Sequence, residues 1–284
     1  MKHLFFDENL SHPDLALCCV VVIDEDNRQK LKDILALPNR EEFGTAAYDL
    51  LYCIDGTEKK PPEYSFRRML KAYFTEFDFQ KKVQDKIDSV FNALATLDFL
   101  VCYSIYRKKL DGAPQTWLKS FYTSSLLKIW LADHHDEIEQ SSLLLADKGF
   151  YGFSEDMVFA KTYFRAGRSP TIGITTKNDP DLKRRGLVFV KELLIEPSYD
   201  RKEIQLADIC AGVGARALFH PQKVKTSEFY RVIEGKVNYL LDNQKHSPFG
   251  LPGGSIVHPL PYNSFYGLKI DKPNLLRTKI GARE

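Results

Sequence analysis

Cysteine is scarce and unpatterned in this chain. Five occur in 284 residues, an odd number with no Cys-x-x-Cys spacing, so nothing points to a disulfide framework. Cys18, Cys19, Cys53 and Cys102 sit in apolar, strand-like stretches and Cys210 on a helical one, as small buried hydrophobes in a reducing cytoplasm do. Long apolar runs are missing too. The longest, Leu15 to Ile23, is strand-sized and far short of the roughly 18 residues that cross a bilayer. The N-terminus lacks the basic, apolar, small-residue order of a secretory leader, so a cytoplasmic protein is expected. There is no internal repeat, no Gly-x-x-x-x-Gly-Lys-Ser/Thr loop and no serine or cysteine nucleophile motif. Net charge is only +2, which excludes a molecule that is basic throughout.

What remains is an ordinary globular composition, 44% hydrophobic and 27% charged, with length for one large or two small domains. The charge is unevenly placed. Lys161, Arg165, Arg168, Lys177, Lys183, Arg184, Arg185 and Lys191 face only Asp179 and Asp181, a local +6 that leaves −4 for the rest. A solvated loop and helix face explains that stretch as well as a binding surface for a polyanion does.

Periodicity orders the elements. Leu4–Phe6 and Leu15–Ile23, separated by Asn9, Ser11, His12 and Pro13, read as a hairpin. Asp24 then caps a helix over 27–37, which stops before Pro38. Residues 38–79 read poorly, with an expected strand over 46–54. Apolar spacing predicts a helix over 80–95, a strand over 97–106 and a helix over 115–133. A short strand over 142–146 ends on Asp147, Ser154 caps a helix to about Arg165, and 187–195 is a further strand. Asp200 with Glu203 matches a capping box opening a helix to about Phe219, and a last helix is expected over 226–242. Strands alternating with helices give an α/β class with a mixed sheet.

Acids at strand ends, Asp7 (with Glu8) and Asp147, are commonly turn formers or caps. They also sit where open α/β sheets place ligands. Asp208 lies two turns inside its helix, among Ile204, Ala211, Gly212 and Ala215, so it is no N-cap of that helix. An aspartate in so apolar a stripe needs a partner. That partner is either an arginine, Arg201 or Arg216, or a cation shared with Asp7 and Asp147. Three converging carboxylates stay charged together only around a cation, and all-oxygen ligation suits Mg²⁺ or Mn²⁺. Two such ions about 3.5–4 Å apart clamp the attacking and leaving oxygens of a phosphodiester.

Phe6-Asp7-Glu8-Asn9 resembles the Asp-Glu-Ser-Gly opening of the domain-of-unknown-function family 3800. Ile204-Gln205-Leu206-Ala207-Asp208-Ile209-Cys210-Ala211-Gly212 resembles its Leu-Gln-Leu-Ala-Asp-Leu-x-Ala-Gly segment, and Leu144-Leu145-Ala146-Asp147 its intervening strand-end aspartate. The resemblance spans roughly residues 4–219. It implies an RNase H-like fold: a mixed five-stranded sheet flanked by helices, over 1–222, with an insertion at about 25–95. Residues 223–284 then form a C-terminal helix and a Gly/Pro-rich tail. It further implies a metal-dependent nuclease, with Asp7, Asp147 and Asp208 holding one or two Mg²⁺ or Mn²⁺ and Glu8 as a further acid. Gln205 would orient Asp208 or substrate. Lys148, Arg165, Arg168, Lys183, Arg184 and Arg185 would contact the phosphates of RNA, DNA or a hybrid. A homo-oligomer is compatible with this reading.

Two departures stand out. Asn9-Leu10 replaces Ser-Gly, and the helix expected over 115–133 has no early acid to serve as a fourth carboxylate. The alternative is therefore a catalytically weak or inactive module that keeps the fold and binds nucleic acid or a protein partner. The remaining motifs have plain explanations. His134 and His135 are adjacent and point about 100° apart on a helix, so they read as an exposed helix end rather than a zinc site. Gly212-Val213-Gly214 lies mid-helix and serves packing. The tail aromatics Phe249, Tyr262, Phe265 and Tyr266 read as packing residues before base-stacking ones.

Overall fold

The expected hairpin is present. β1 (Lys2–Asn9) pairs antiparallel with β2 (Leu15–Asp24), with Asp7 opposite Cys19. Side chains build the turn between them: Asn9 Oδ1 accepts the Ser11 N–H at 3.0 Å, and His12 Nδ1 takes the N–H groups of Asp14 and Leu15 at 3.2 Å. β1 extends two residues past Asp7, so that aspartate lies within the strand rather than at its end. These observations come from a computed structural model that describes residues 2–53, 61–108, 144–147, 193–219, 224–242, 256–259, 268–271 and 276–280.

The chain is a mixed α/β protein whose sheet has a three-stranded antiparallel centre. β3 (Leu100–Arg107) pairs antiparallel with β2. β4 (Leu144–Asp147) runs parallel to β1, and β5 (Leu193–Glu196) parallel to β4. β6 (Val237–Asp242) lies parallel to β3, and β7 (Ile256–Pro259) antiparallel to β6. The order is β5-β4-β1-β2-β3-β6-β7, so the sheet continues beyond the five strands expected. β8 (Leu268–Asp271) and β9 (Leu276–Ile280) pair separately.

Seven helices occur among the described residues: α1 (Glu25–Ile34), α2 (Arg40–Phe43), α3 (Thr45–Tyr52), α4 (Phe66–Phe74), α5 (Gln80–Thr96), α6 (Lys202–Phe219) and α7 (Val224–Glu234). None is long and apolar enough to cross a membrane. α6 lies over β1 and β2. Under it, Phe5, Leu17, Cys19, Val21, Val101 and Tyr103 form one core with Ile204, Ala207, Cys210 and Ala211. The alternate residues Leu4, Phe6, Val20 and Cys102 are equally buried on the opposite face, which is why β2 reads as an unbroken apolar run. α4, α5 and α7 extend the core, with the Phe91 and Phe229 rings stacked at 4.1 Å.

Several expectations hold. Asp24 caps α1, accepting the Asn27 N–H at 2.8 Å. α5 runs over 80–96 and β3 starts at Leu100, close to the predicted bounds. Three do not. The strand expected over 46–54 is helix α3, because Ala47, Tyr48, Leu51 and Tyr52 bury one helical face and a short apolar run cannot tell the two periods apart. The helix expected over 226–242 ends at Glu234; past Gly235 and Lys236 the chain becomes β6 beside β3. The capping box is not used, since the Glu203 carboxylate meets Arg28 Nε at 2.7 Å in a buried pair. Asp200 sits in a 3₁₀ turn before α6. The helices expected over 115–133 and from Ser154 lie outside the described residues.

His3, on β1, gives this fold a pH dependence. Its ring is buried, Nε2 lies 3.2 Å from Glu25, and Nδ1 is enclosed without a hydrogen-bond partner among the described residues. Burial lowers its pKa, and Arg28 adds to that. The unfolded chain therefore binds a proton below about pH 6.5 that the folded chain resists, so this contribution is lost as pH falls. His3→Leu should flatten the stability slope between about pH 7 and 5 in denaturant melts. An unchanged slope would remove His3 as its source.

Candidate active site

Asp7 lies on β1 and Asp208 on α6, the helix that packs over β1. Strand alternation puts Asp7 on the same face as Phe5, the face that α6 covers. It is half-buried, and its Oδ1 accepts the Glu8 N–H at 2.6 Å. Glu8 falls on the opposite face, where its carboxylate accepts the Tyr106 hydroxyl at 3.2 Å. β1 therefore does not bring Glu8 to Asp7's side of the sheet. The parallel register pairs Phe6 with Ala146, so one step further sets Asp7 and Asp147 in one row of neighbouring strands. Nothing is described of the Asp147 side chain.

Asp208 is half-buried on α6 and reaches outward to α4. Its Oδ2 accepts the Phe66 N–H at 2.7 Å. Phe66 is the first residue of α4, and Ser65 supplies no side-chain cap, so Asp208 caps that helix from another element. Of the two arginines expected to pair with Asp208, Arg201 is held by Glu196 on β5, with Nη2 3.0 Å from Oε1. Arg216 lines a cleft described below.

Two buried cysteines, Cys19 on β2 and Cys210 on α6, pack in the core under this helix. Burial pushes the Cys19 thiol up, with Cys210 and Asp7 among the neighbours that add to it. Burial raises Cys210 likewise, and Asp208 adds to the effect. These thiols stay protonated, as packing cysteines do. Asp7 acts on the Cys19 thiol and Asp208 on the Cys210 thiol, and Cys210 acts on Cys19.

Gln205 is fully buried. Its Oε1 accepts the Tyr64 N–H at 3.2 Å and its Nε2 donates to the Ser198 carbonyl at 2.9 Å, tying the segment entering α4 to the turn before α6. Both ends of the amide hold the backbone that positions Asp208. Tyr64 is buried beside it, its hydroxyl pushed up to about 12 by burial.

Lys148, Arg165, Arg168, Lys183, Arg184 and Arg185 lie outside the described residues. Among the described residues no group of three or more His, Cys, Asp or Glu is arranged to hold a metal ion. The donors that are described, Asp7 and Asp208, are hard oxygens.

The sequence reading missed a basic cleft beside these acids. It holds about 490 Å³ and is lined by Asn9 at the end of β1, by Ser11 in the turn that follows, by Arg67, Lys71 and Phe74 from α4, and by Arg216 from α6. A second cleft, about 440 Å³, lies across α4 and carries Asp49 and Glu63 opposite Arg67 and Lys71. The signal was Arg67, Lys71 and Phe74 at i, i+4 and i+7, one helical face inside the region that read poorly. No protein-family model and no curated protein matches the chain.

Proposed function

We propose that the chain is a metal-dependent nuclease on an RNase H-like sheet. One observation carries the reading. β1 and β4 are adjacent and parallel, with Asp7 and Asp147 in one row, and the helix bearing Asp208 lies over β1. The order β5-β4-β1-β2-β3, antiparallel among β1, β2 and β3 and parallel from β1 to β5, is the arrangement that such a sheet requires.

Asp7, Asp147 and Asp208 would hold Mg²⁺ or Mn²⁺, which when bound supplies Lewis-acid polarisation of a phosphodiester oxygen and a more acidic water. The protein's own part is to hold the Asp7 and Asp208 carboxylates half-buried, one on the sheet and one on the helix that packs over it. There their mutual repulsion favours a cation over open solvent. Gln205 fixes the backbone on both sides of Asp208 and so sets where that carboxylate points.

A second reading has one observation in its favour. The Asp208 carboxylate already serves the α4 N-terminus, which is the job of a structural residue in a module that binds nucleic acid or a protein partner without cutting.

Labelled single-stranded, duplex and hybrid substrates separate the two. Cleavage should occur in Mg²⁺ or Mn²⁺ and stop in EDTA and in Asp7→Asn. Millimolar Mg²⁺ or Mn²⁺ should also raise the melting temperature by mass action, and less so in Asp208→Asn. No cleavage, together with an unchanged melting temperature in both proteins, would leave only the second reading.

A further inference from the structure

We propose that the cleft between the β1–β2 turn, α4 and α6 is a binding track for single-stranded nucleic acid. This rests on the nuclease reading for its purpose, though not for its chemistry. Arg67, Lys71 and Arg216 converge on it, and no acid lies among its described lining residues. Among the described residues these three cations enter no ion pair. Three cations around one opening, in a chain whose net charge is only +2, make a local site for anions. Asn9 and Ser11 add short polar side chains on the facing wall.

The aromatic at its edge selects the kind of anion. Phe74 is 54% exposed, the most exposed large hydrophobic among the described residues, and it shares a helical face with Arg67 and Lys71. A core has no use for a ring left in water. A base has, because stacking on an aromatic face is sequence-tolerant and alternates naturally with phosphate contacts. A single strand offers free base faces; a duplex hides them. The track also leads to the acids. Asn9 lies two residues beyond Asp7, and Phe66, whose N–H Asp208 holds, forms part of the cleft wall. A phosphate chain seated on Arg67 and Lys71 therefore passes beside the carboxylates.

Fluorescence anisotropy in EDTA, with labelled oligothymidylate and oligouridylate, tests the track without any cleavage. Arg67→Glu with Lys71→Glu should weaken binding by tenfold or more. The salt slope should shrink by about 1.4 in magnitude, about 0.7 for each phosphate that is no longer neutralised. Both positions are exposed, so circular dichroism should show the fold intact. Phe74→Ala should weaken oligonucleotides about tenfold and leave inorganic polyphosphate unaffected. Failure of the wild type to bind either oligonucleotide would overturn the track. So would an unchanged affinity and slope in the double variant, and equal losses toward polyphosphate in Phe74→Ala would overturn the assignment to nucleic acid. The nuclease reading fails separately. Binding that depends on Arg67 and Lys71, with no cleavage in Mg²⁺ or Mn²⁺, keeps the track and removes the enzyme. Cleavage abolished by Asp7→Asn but untouched in KM by the double charge reversal keeps the enzyme and removes the track.

Discussion

Asp208→Asn is expected to lower metal-dependent cleavage about 10³-fold, equivalent to about 4 kcal/mol of barrier, while moving metal-free stability by less than about 1 kcal/mol. The two effects separate because the carboxylate does two things. Its oxygen accepts the Phe66 N–H at 2.7 Å, and an asparagine amide oxygen can do the same. What asparagine cannot supply is the negative charge that a cation shared with Asp7 needs. Asp208→Ala should lose both, because the Phe66 N–H is then left without its acceptor. That costs about 1–2 kcal/mol of stability on top of the activity. The salt-bridge alternative left open by the sequence would make Asp208→Asn strongly destabilising by stranding an arginine. Arg201 is held by Glu196, so it is not an arginine that the substitution would strand. Denaturant melts in EDTA beside cleavage rates in Mn²⁺ read both quantities. A stable Asp208→Asn protein that cleaves at the wild-type rate would make Asp208 a helix cap and nothing more.

The hairpin, α1 with its Asp24 cap, α5 and β3 were legible because each rests on local signals. A turn set, a capping side chain and an unbroken period of two or 3.6 all lie within a few residues. The helix carrying Asp208 was legible for the same reason, though its capping box was not. Glu203 satisfies the local pattern, yet the fold offers it Arg28, 175 residues away, and the long-range ion pair takes the carboxylate. β6 was missed on similar grounds. Its sequence suits either period, and what decides is the open edge of β3 that it joins. The candidate site divides along this line. Asp7 and Asp208 could be picked out as acids in apolar settings. That Asp208 reaches to α4, and that Arg67, Lys71 and Phe74 then line a cleft with Arg216 of the helix carrying it, depends on how residues 61–74 dock. No local pattern states that docking, because Gln205 achieves it through the backbone of Tyr64.

That docking is also where the second large effect falls. Gly212→Ala should destabilise the protein by about 2–3 kcal/mol, although alanine in place of glycine inside a helix ordinarily stabilises by up to about 1 kcal/mol. A Cβ at Gly212 would lie 2.0 Å from Phe66 Cδ1 and 2.4 Å from Cγ. The ring is 3% exposed and its backbone N–H is tied to Asp208, so it has no easy retreat. Relief requires α4 to lift from α6, and that breaks the Asp208 bond and reshapes the cleft together. Gly214→Ala meets a similar obstacle in Tyr103, 2.7 Å from the added carbon, a fully buried ring whose hydroxyl donates to the Cys210 carbonyl at 2.7 Å. Gly235, with nothing within 4 Å of an added Cβ, is the control, and Gly235→Ala should be near neutral. The mechanism predicts a coupling as well as a sign. Phe66→Leu shortens the obstructing ring, so the Gly212→Ala, Phe66→Leu double variant should be more stable than the sum of the singles allows. Strict additivity, or a gain in stability from Gly212→Ala alone, would mean that α4 does not seat against Gly212. The Asp208 cap and the cleft beside it would then lack the packing that holds them in place.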